Sequence, residues 1–248
     1  MTETFRKKLN RQAELLGLRL TAVQQEQLFL YYERLTEKNR MMNLTAITEE
    51  GEVVTKHFID SMAIVRANVS RETFTVEALA GRHLIDIGTG AGFPGLVLKI
   101  VFPALQVLLS DSLKKRLFFL DELIQELGLQ GVETVHGRAE DLAHERRFRE
   151  HFDFAVSRAV ANLSTLSEYD LPFVKQGGLF LAMKAGNIRE EAEQAEKAIR
   201  TLGGELEQIV EYTLPDTDIE RSLLLIRKKK ACPASYPRKA GTPGRNPL

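Results

Sequence analysis

The chain has 248 residues, 44% of them apolar and 27% charged, with a formal net charge of zero. These values are typical of a globular protein with one substantial α/β domain and a smaller appendage. No apolar stretch approaches about 18 uninterrupted residues, which excludes a membrane-spanning helix, and the single cysteine excludes an intrachain disulfide and a cysteine-based metal site. The segment Met1–Lys8 lacks the apolar core of a signal peptide, so a cytoplasmic protein is expected. No bound metal is expected.

Residues 1–80 are predicted to form a small N-terminal helical region. Apolar residues recur at helical spacing from Phe5 onward, and Thr21 is a candidate N-cap for the second helix. The segment 43–46, Asn-Leu-Thr-Ala, indicates a break, and a third helix is expected at about 49–68.

The third predicted helix carries His57 and Asp60, which are three residues apart and therefore share one face. Two interpretations of this pair stay open at the level of sequence. The side chains contact the cofactor or substrate, or they form a structural hydrogen bond between the helical region and the main domain.

The hydrophobic period changes in residues 81–230, where strands and helices alternate. Strands are predicted at 83–88, 106–111, 132–137, 153–158, 178–184, 205–213 and 221–229, and helices at 95–102, 113–127, 163–173 and 188–202. The alternation predicts a parallel sheet, and the last two strands, which lack an intervening helix, should form an antiparallel hairpin. The predicted fold is therefore α/β, with a seven-stranded, mostly parallel sheet. Seven strands with a C-terminal hairpin resemble the Rossmann-like class I methyltransferases more than the dehydrogenases, and that fold is the expectation.

The loop after the first strand has the sequence Asp86-Ile-Gly88-Thr-Gly90-Ala-Gly92-Phe93-Pro-Gly. This sequence is consistent with two classes of cofactor. A G-x-G-x-x-G pattern begins at Gly90, with Asp111 about 20 residues later, as in dinucleotide-binding proteins. Alternatively, an acidic residue followed by three alternating glycines is typical of S-adenosylmethionine-dependent methyltransferases. The carboxylate of Asp86 favours the second reading, because it would repel a pyrophosphate and attract an ammonium group. Asp111 is then a candidate acceptor for the ribose hydroxyls.

Three further segments follow the predicted strands, and each carries two interpretations. Arg158 contacts the methyl donor or nucleic acid phosphates, or it forms an ion pair with Asp153 or Glu140 at the end of its strand. The segment 137–141, Gly-Arg-Ala-Glu-Asp, lies beside the adenine ring of the cofactor, or it is a surface turn with an acidic N-cap. Lys184 reaches a phosphate or caps the sheet.

The reaction is narrowed by motifs that the sequence lacks. Cys232 lies in a Pro-rich tail and is a poor nucleophile for methylation of a pyrimidine at C5. The fourth strand runs into Ser157-Arg158-Ala159 in place of the Pro-Pro loop that methylation of exocyclic amines typically uses. Guanine N7 is a target that needs only positioning, so no catalytic acid or base is predicted.

The segment 231–248 is a basic tail rich in proline and glycine. No acidic residue occurs from Arg221 to Leu248, whereas eight residues of that stretch are lysine or arginine. Such asymmetry is consistent with a surface for a polyanion, but taken alone it favours a solvated tail.

With these residues assembled, the chain resembles the bacterial 16S rRNA guanine-N7 methyltransferase G family, also called glucose-inhibited division protein B. The resemblance covers nearly the whole length and rests on these segments: Asn43–Ile47, His57–Ser61, Asp86–Gly95, Asp111–Arg116, Gly137–Glu140, Ser157–Ala159 and Tyr236–Pro243. At Lys184-Ala185-Gly186 the chain departs from the lysine-glycine pair that is common in the family.

The resemblance implies S-adenosylmethionine as cofactor, with S-adenosylhomocysteine as product, and 7-methylguanosine in the decoding region of 16S rRNA. The predicted cofactor-binding residues are Asp86, Gly88, Gly90, Gly92, Phe93, Asp111, Ser112, Ala139, Glu140 and Arg158. The predicted RNA-binding residues are Lys115, Arg116, Arg138, Arg238 and Lys239. Candidate substrate contacts are Arg158, Lys184, His57 and Asp60.

The expected partner is 16S rRNA or the 30S subunit, with no membrane and no obligate protein partner, and a monomer is expected. Three alternatives remain: a methyltransferase acting on a small molecule or protein, a non-catalytic RNA-binding module, and an NAD-dependent oxidoreductase.

Overall fold

The computed structural model describes residues 1–67, 74–158, 161–186 and 188–248. It begins with two helices, α1 (Glu3–Leu15) and α2 (Ala22–Met42). Thr21 caps α2, since its hydroxyl accepts a hydrogen bond from the backbone N–H of Gln24 in a capping box, which confirms the predicted N-cap. Asn43 ends α2 in the left-handed conformation at φ 50°, and this is the predicted break.

The third predicted helix is a composite. It consists of α3 (Glu50–Val53), a π-helical turn (Val54–Ile59), α4 (Asp60–Met62) and a 3₁₀ turn (Ala63–Arg66). Its predicted end at residue 68 lies outside the described residues. The π-helical turn holds His57, and such turns frequently occur at functional sites because they re-aim side chains. A short helix, α5 (Val76–Leu79), leads into the sheet.

The sheet has seven strands: β1 (His83–Ile87), β2 (Gln106–Asp111), β3 (Val132–His136), β4 (Phe152–Ser157), β5 (Val174–Ala185), β6 (Gly204–Thr213) and β7 (Glu220–Lys228). Their order is β3-β2-β1-β4-β5-β7-β6. Strand β7 runs opposite to the other six strands, so it is antiparallel to both β5 and β6. The predicted parallel sheet with a C-terminal antiparallel hairpin is confirmed. Strand β5 begins four residues earlier than predicted, because Val174 already pairs with Phe152 across a bulge.

The remaining helices are α6 (Gly95–Val101), α7 (Lys114–Glu126), α8 (Ala139–Leu142), α9 (Leu163–Asp170), α10 (Arg189–Thr201) and α11 (Thr242–Arg245). Two hydrophobic clusters form the core. In one cluster the N-terminal helices pack with α6 and α7, and in the other α9 and α10 pack against the sheet. No helix in the described part of the chain is long and apolar enough to cross a bilayer.

The segment 231–248 is packed against the domain. The Arg149 guanidinium donates hydrogen bonds to the carbonyl oxygens of Cys232 and Tyr236 at 2.9 Å. The hydroxyl of Thr165 donates to the carbonyl of Pro243 at 3.0 Å. The alternative of a freely solvated tail is therefore wrong for this segment, because side chains of the domain hold its backbone along its length.

Candidate functional site

The glycine-rich loop follows β1 at the carboxyl edge of the parallel strands. Gly88 and Gly90 have φ angles of 70° and 60°, in the left-handed region that glycine adopts without strain. A Cβ atom at Gly88 would meet no heavy atom within 4 Å, and one at Gly90 would only touch a backbone oxygen at 4.0 Å. These two glycines therefore border open space, as a loop that receives a ligand requires.

The next two glycines of the loop are needed for packing within the protein. A Cβ atom at Gly92 would collide with the hydroxyl of Tyr31 and lie 2.9 Å from a methyl carbon of Leu120. One at Gly95 would lie 2.7 Å from a carboxylate oxygen of Asp86. The missing side chain of Gly92 leaves room for α2 and α7, and its predicted contact with the cofactor stays a prediction.

Asp86 is fully buried and holds the loop in shape. Its Oδ2 accepts hydrogen bonds from the Thr89 hydroxyl at 2.7 Å and from the backbone N–H of Gly95 at 2.8 Å. Its Oδ1 has no hydrogen-bond partner among the described residues. Burial raises the pKa of this carboxyl to about 6, against the opposing effect of those two hydrogen bonds. The side chain of Asp86 has no exposed surface, so the role that the structure shows for it is to hold the loop in shape.

Asp111, at the end of β2, joins the loop to α7. Its Oδ2 accepts from the backbone N–H of Gly90 at 2.9 Å and from Arg116 at 3.2 Å, and its Oδ1 accepts from the backbone N–H of Leu113 at 2.8 Å. Asp111 thus sits beside the open Gly90 position. The next residue, Ser112, is exposed at the same edge of the sheet.

Phe93 lies in a column of three aromatic rings. Its ring stacks on Tyr31 at a centroid distance of 5.2 Å and on His57 at 4.4 Å. The guanidinium carbon of Arg158 lies 5.1 Å from the Phe93 centroid, within the range of a cation–π contact. The hydroxyl of Tyr31 donates to the carbonyl oxygen of Ala91, so α2 contacts the loop directly.

The imidazole of His57 is enclosed between two polar partners. Its Nδ1 lies 3.3 Å from a guanidinium nitrogen of Arg158, which has only donors, so Nδ1 accepts and Nε2 carries the proton. Nε2 then donates to the Thr45 hydroxyl at 2.8 Å. Burial, and secondarily the charge of Arg158, lowers the pKa of His57 to about 3, so this residue is neutral at physiological pH.

Arg158 also faces Asp60, whose Oδ2 lies 3.4 Å from the guanidinium, while Oδ1 accepts from Arg221 at 3.1 Å. Arg158 does form an ion pair, but its partner is Asp60, so the suggested partners Asp153 and Glu140 are wrong. His57 and Asp60 link the helical region to the main domain through Arg158. Burial lowers the pKa of Arg158, although the guanidinium stays charged. Ala159 of the quoted Ser-Arg-Ala segment lies outside the described residues.

A cleft of about 260 Å³ opens beside this cluster. Its lining is mostly charged, and the residues are Lys56, His57, Asp60, Arg158, Met183, Lys184, Ala185 and Arg221. Lys184 donates to the carbonyl oxygen of Ala161 at 2.8 Å and pairs with Glu191 at 2.7 Å. A larger cavity of about 740 Å³ lies between α10 and β6, away from the loop.

The segment after β3 forms α8. Ala139 is half-buried at its first position and Arg138 is exposed before it. Glu140 is buried, and its Oε1 accepts a hydrogen bond from the backbone N–H of Gly241 at 2.8 Å. The C-terminal segment therefore reaches the residues predicted to border the adenine.

The predicted RNA-binding residues divide into two groups. Lys115, Arg138 and Lys239 are exposed, and Arg116 is partly exposed beside Asp111. Arg238 is different, because its guanidinium forms two hydrogen bonds, at 2.6 and 2.9 Å, with the fully buried carboxylate of Glu168. The side chain of Arg238 thus neutralises a buried charge of the protein, and its predicted contact with phosphate stays a prediction.

Sequence reasoning missed Tyr31 and Arg221. Nothing in the amphipathic pattern of α2 marks Tyr31 as the residue that meets the loop. Arg221 could have been found, because the predicted antiparallel hairpin places the first residue of the predicted strand 221–229 at the carboxyl edge of the parallel strands. Ala185 at the end of β5 indeed pairs with Arg221.

The family model described as rRNA small subunit methyltransferase G matches residues 24–222 of the chain. A protein of Lachnoclostridium phytofermentans named ribosomal RNA small subunit methyltransferase G is 50% identical over 233 residues, which are 94% of this chain and 93% of that one. One of the same name from Acetivibrio thermocellus is 48% identical over 98% of this chain and 97% of its own length.

Solved structures resemble the chain in fold. MtNAS in complex with MTA and tNA superposes with a TM-score of 0.54 at 14% identity, over 82% of this chain and 71% of that one. TrmN from Thermus thermophilus superposes with a TM-score of 0.50 at 16% identity, over 71% of this chain and 53% of that one. With the observed strand order, these similarities confirm the predicted Rossmann-like methyltransferase fold.

Proposed function

Since the chain belongs to the rRNA small subunit methyltransferase G family, we propose that it methylates N7 of one guanine in 16S rRNA with S-adenosylmethionine as donor. The observation that carries this proposal is the loop after β1, where Gly88 and Gly90 border open space next to Asp111. A methyl donor with an adenosine and an amino acid moiety requires such a close approach of the backbone.

The residues of the loop fit that donor. Gly88 and Gly90 allow the ligand to lie against the backbone, and the buried ring of Phe93 supports the loop through its stacks on His57 and Tyr31. Asp111 and Ser112 offer oxygen acceptors for ribose hydroxyls, while Ala139 and Glu140 border the same edge of the sheet. When bound, S-adenosylmethionine supplies an electrophilic methyl group and leaves as S-adenosylhomocysteine.

The chain's part in the reaction is to bind and orient. Guanine N7 carries a lone pair and no proton, so no side chain has to act as a general base. The neutral imidazole of His57 agrees with this, because Arg158 and Thr45 occupy its two nitrogens. We assign His57 and Asp60 the role of holding Arg158 beside the loop, and Arg158 and Lys184 the role of facing the RNA.

Four cations are proposed to bind the RNA backbone: Lys115, Arg116, Arg138 and Lys239. They come from α7, the N-terminal side of α8 and the C-terminal segment. Binding should weaken as salt rises, because phosphate contacts release counterions. The substrate is then rRNA or the 30S subunit, and the reaction takes place in the cytoplasm, where that substrate is found.

The test is methyl transfer from labelled S-adenosylmethionine to 30S subunits that lack the modification, followed by mass-spectrometric mapping of 7-methylguanosine. One labelled guanine in 16S rRNA is the expected result. A protein that binds the donor but labels only small molecules or proteins would contradict the proposal, as would one that binds RNA without transfer. Displacement of S-adenosylhomocysteine by NAD would favour the oxidoreductase alternative instead.

A further inference from the structure

Arg221 occupies a place in the cleft that its sequence position does not suggest. It is the second residue of β7, yet the antiparallel direction of that strand brings it beside Ala185, at the edge where β4 and β5 end. The predicted donor loop and Arg221 thus border the same side of the sheet, with Arg158 between them.

Asp60 ties the two arginines together. Its buried carboxylate accepts from Arg221 through Oδ1 and faces Arg158 through Oδ2, so a single negative charge serves two guanidinium groups. Arg158 contacts its oxygen acceptors at 3.3–3.4 Å, whereas charged donors usually approach oxygen to about 2.8 Å. The cluster therefore has more donor capacity than its own acceptors satisfy.

The lining of the cleft also carries an excess of positive charge. Four of its lining residues are cationic, namely Lys56, Arg158, Lys184 and Arg221, and Asp60 is the one carboxylate among the lining residues. Glu52 and Glu191 neutralise Lys56 and Lys184 from outside the lining, which leaves the excess positive charge on the two arginines. An anionic group of a ligand would complete this arrangement.

A tyrosine beside Arg221, in the lining of a neighbouring cavity, has a buried hydroxyl group. The hydroxyl of Tyr212, on β6 opposite Arg221, is buried and has no hydrogen-bond partner among the described residues. Burial, and secondarily the charge of Asp60, holds the pKa of Tyr212 well above its ordinary value, so the hydroxyl keeps its proton. Leaving such a donor unpaired is costly unless a ligand or water pairs with it.

We infer that this cleft receives the target nucleotide of the RNA and that Arg221 binds a backbone phosphate of that nucleotide, with Asp60 as the residue that orients Arg221. The inference rests on the proposed function, since it places the substrate of the same reaction. A guanidinium fork matches the oxygens of a phosphate, and a purine must leave the base stack before it can enter a cleft.

The experiment compares the parent protein with Arg221→Ala and Arg221→Gln on undermethylated 30S subunits. KM for the subunits should rise roughly tenfold to a hundredfold in both variants, as expected for loss of a charge-assisted contact. The affinity for S-adenosylmethionine, measured by calorimetry, should stay within about twofold of the parent value, because Arg221 does not contact the loop. Arg221→Gln keeps most of the side-chain volume, so it remains informative if Arg221→Ala fails to fold.

A phosphate contact also makes RNA affinity depend on salt concentration. For the protein loaded with S-adenosylhomocysteine, the slope of log affinity against log salt should become shallower by roughly 0.7–1 in the variants. Arg200→Ala is the matched control: it removes an exposed cation of α10 and should leave the KM and the slope unchanged.

If the parent methylates 30S subunits and Arg221→Gln retains its KM and salt slope, the inference is wrong while the proposed function stands. A raised KM with an unchanged slope also overturns it, because Arg221 would then contact an uncharged part of the RNA. If the parent itself transfers no methyl group, the proposed function has failed.

Discussion

The imidazole of His57 lies flat against the ring of Phe93, with centroids 4.4 Å apart and planes 11° from parallel. The two residues come from different parts of the molecule, His57 from the π-helical turn of the N-terminal region and Phe93 from the loop after β1. Tyr31 also stacks on Phe93, at an interplanar angle of 4°. The N-terminal helices thus set the position of the loop that we propose holds the methyl donor.

Phe93→Leu is expected to weaken the affinity for S-adenosylmethionine about tenfold, because a leucine cannot stack on both His57 and Tyr31 and the loop loses its support. Calorimetric titration with the donor measures the effect. Phe118→Leu is the control, since Phe118 lies more than half exposed on α7 and stacks on no ring of the site. Equal donor affinity for Phe93→Leu and the parent would show that the column has no part in binding.

Gly90→Ala is expected to abolish detectable donor binding. A Cβ atom there would project into the open space of the loop, and the φ of 60° is strained for alanine. Gly128→Ala separates the two causes, because Gly128 has a similar φ of 64° and equally open surroundings at the end of α7, away from the loop. Both variants should lose about 1 kcal/mol of stability to backbone strain, and only Gly90→Ala should lose the donor. If Gly90→Ala binds the donor as Gly128→Ala does, the loop is not the binding site.

The centre of the sheet could be predicted because β1, β2 and β4 are mostly buried runs that end next to glycine or charged residues. The predicted strand at 106–111 agrees with β2 residue for residue, and the hairpin followed from the short Pro-Asp-Thr-Asp connection. Strand β5 was predicted too short, since its first residues, Val174–Gly177, include exposed positions that lack a regular alternation.

The site was predicted best where its residues follow the end of a strand. Gly88, Gly90 and Asp111 carry a local signature, whereas the partners of Tyr31 and Arg238 are fixed by packing between distant elements. A basic residue in a tail gives no sign of whether a phosphate or a buried glutamate will face it. The 70-residue separation of Arg238 and Glu168 has no local pattern that a single sequence reveals.

Arg238→Ala should destabilise the fold by about 2 kcal/mol, because the buried carboxylate of Glu168 loses its cation, while the partial exposure of Arg238 limits the loss. Urea unfolding measures this change. Lys239→Ala removes a neighbouring exposed cation and should leave stability unchanged while weakening RNA binding. In the double variant Arg238→Ala/Glu168→Gln, part of the lost stability should return, since no buried charge remains uncompensated. Equal stability of Arg238→Ala and Lys239→Ala would contradict the structural role of Arg238.

The stability of the protein should depend on pH through His57. In the unfolded chain this imidazole takes up a proton near its ordinary pKa of 6.5, whereas in the folded protein its pKa is lowered to about 3. The contribution of His57 is therefore complete above pH 6.5 and is lost as the pH falls from 6.5 toward 3, because the unfolded state binds the proton more readily. Between pH 7.5 and pH 5 the loss amounts to about 2 kcal/mol.

His57→Gln should abolish that part of the pH dependence, although it lowers stability at pH 7.5 through loss of the stack on Phe93. The measured quantity is the difference in unfolding free energy between pH 7.5 and pH 5, from urea titrations of the parent, His57→Gln and His151→Gln. His151 is exposed, so its variant should follow the parent. Asp86 titrates in the same window with the opposite sign, because its pKa is raised to about 6, and it contributes equally to all three proteins. If His57→Gln loses as much stability on acidification as the parent, His57 is not buried in its neutral form against Phe93 and Arg158.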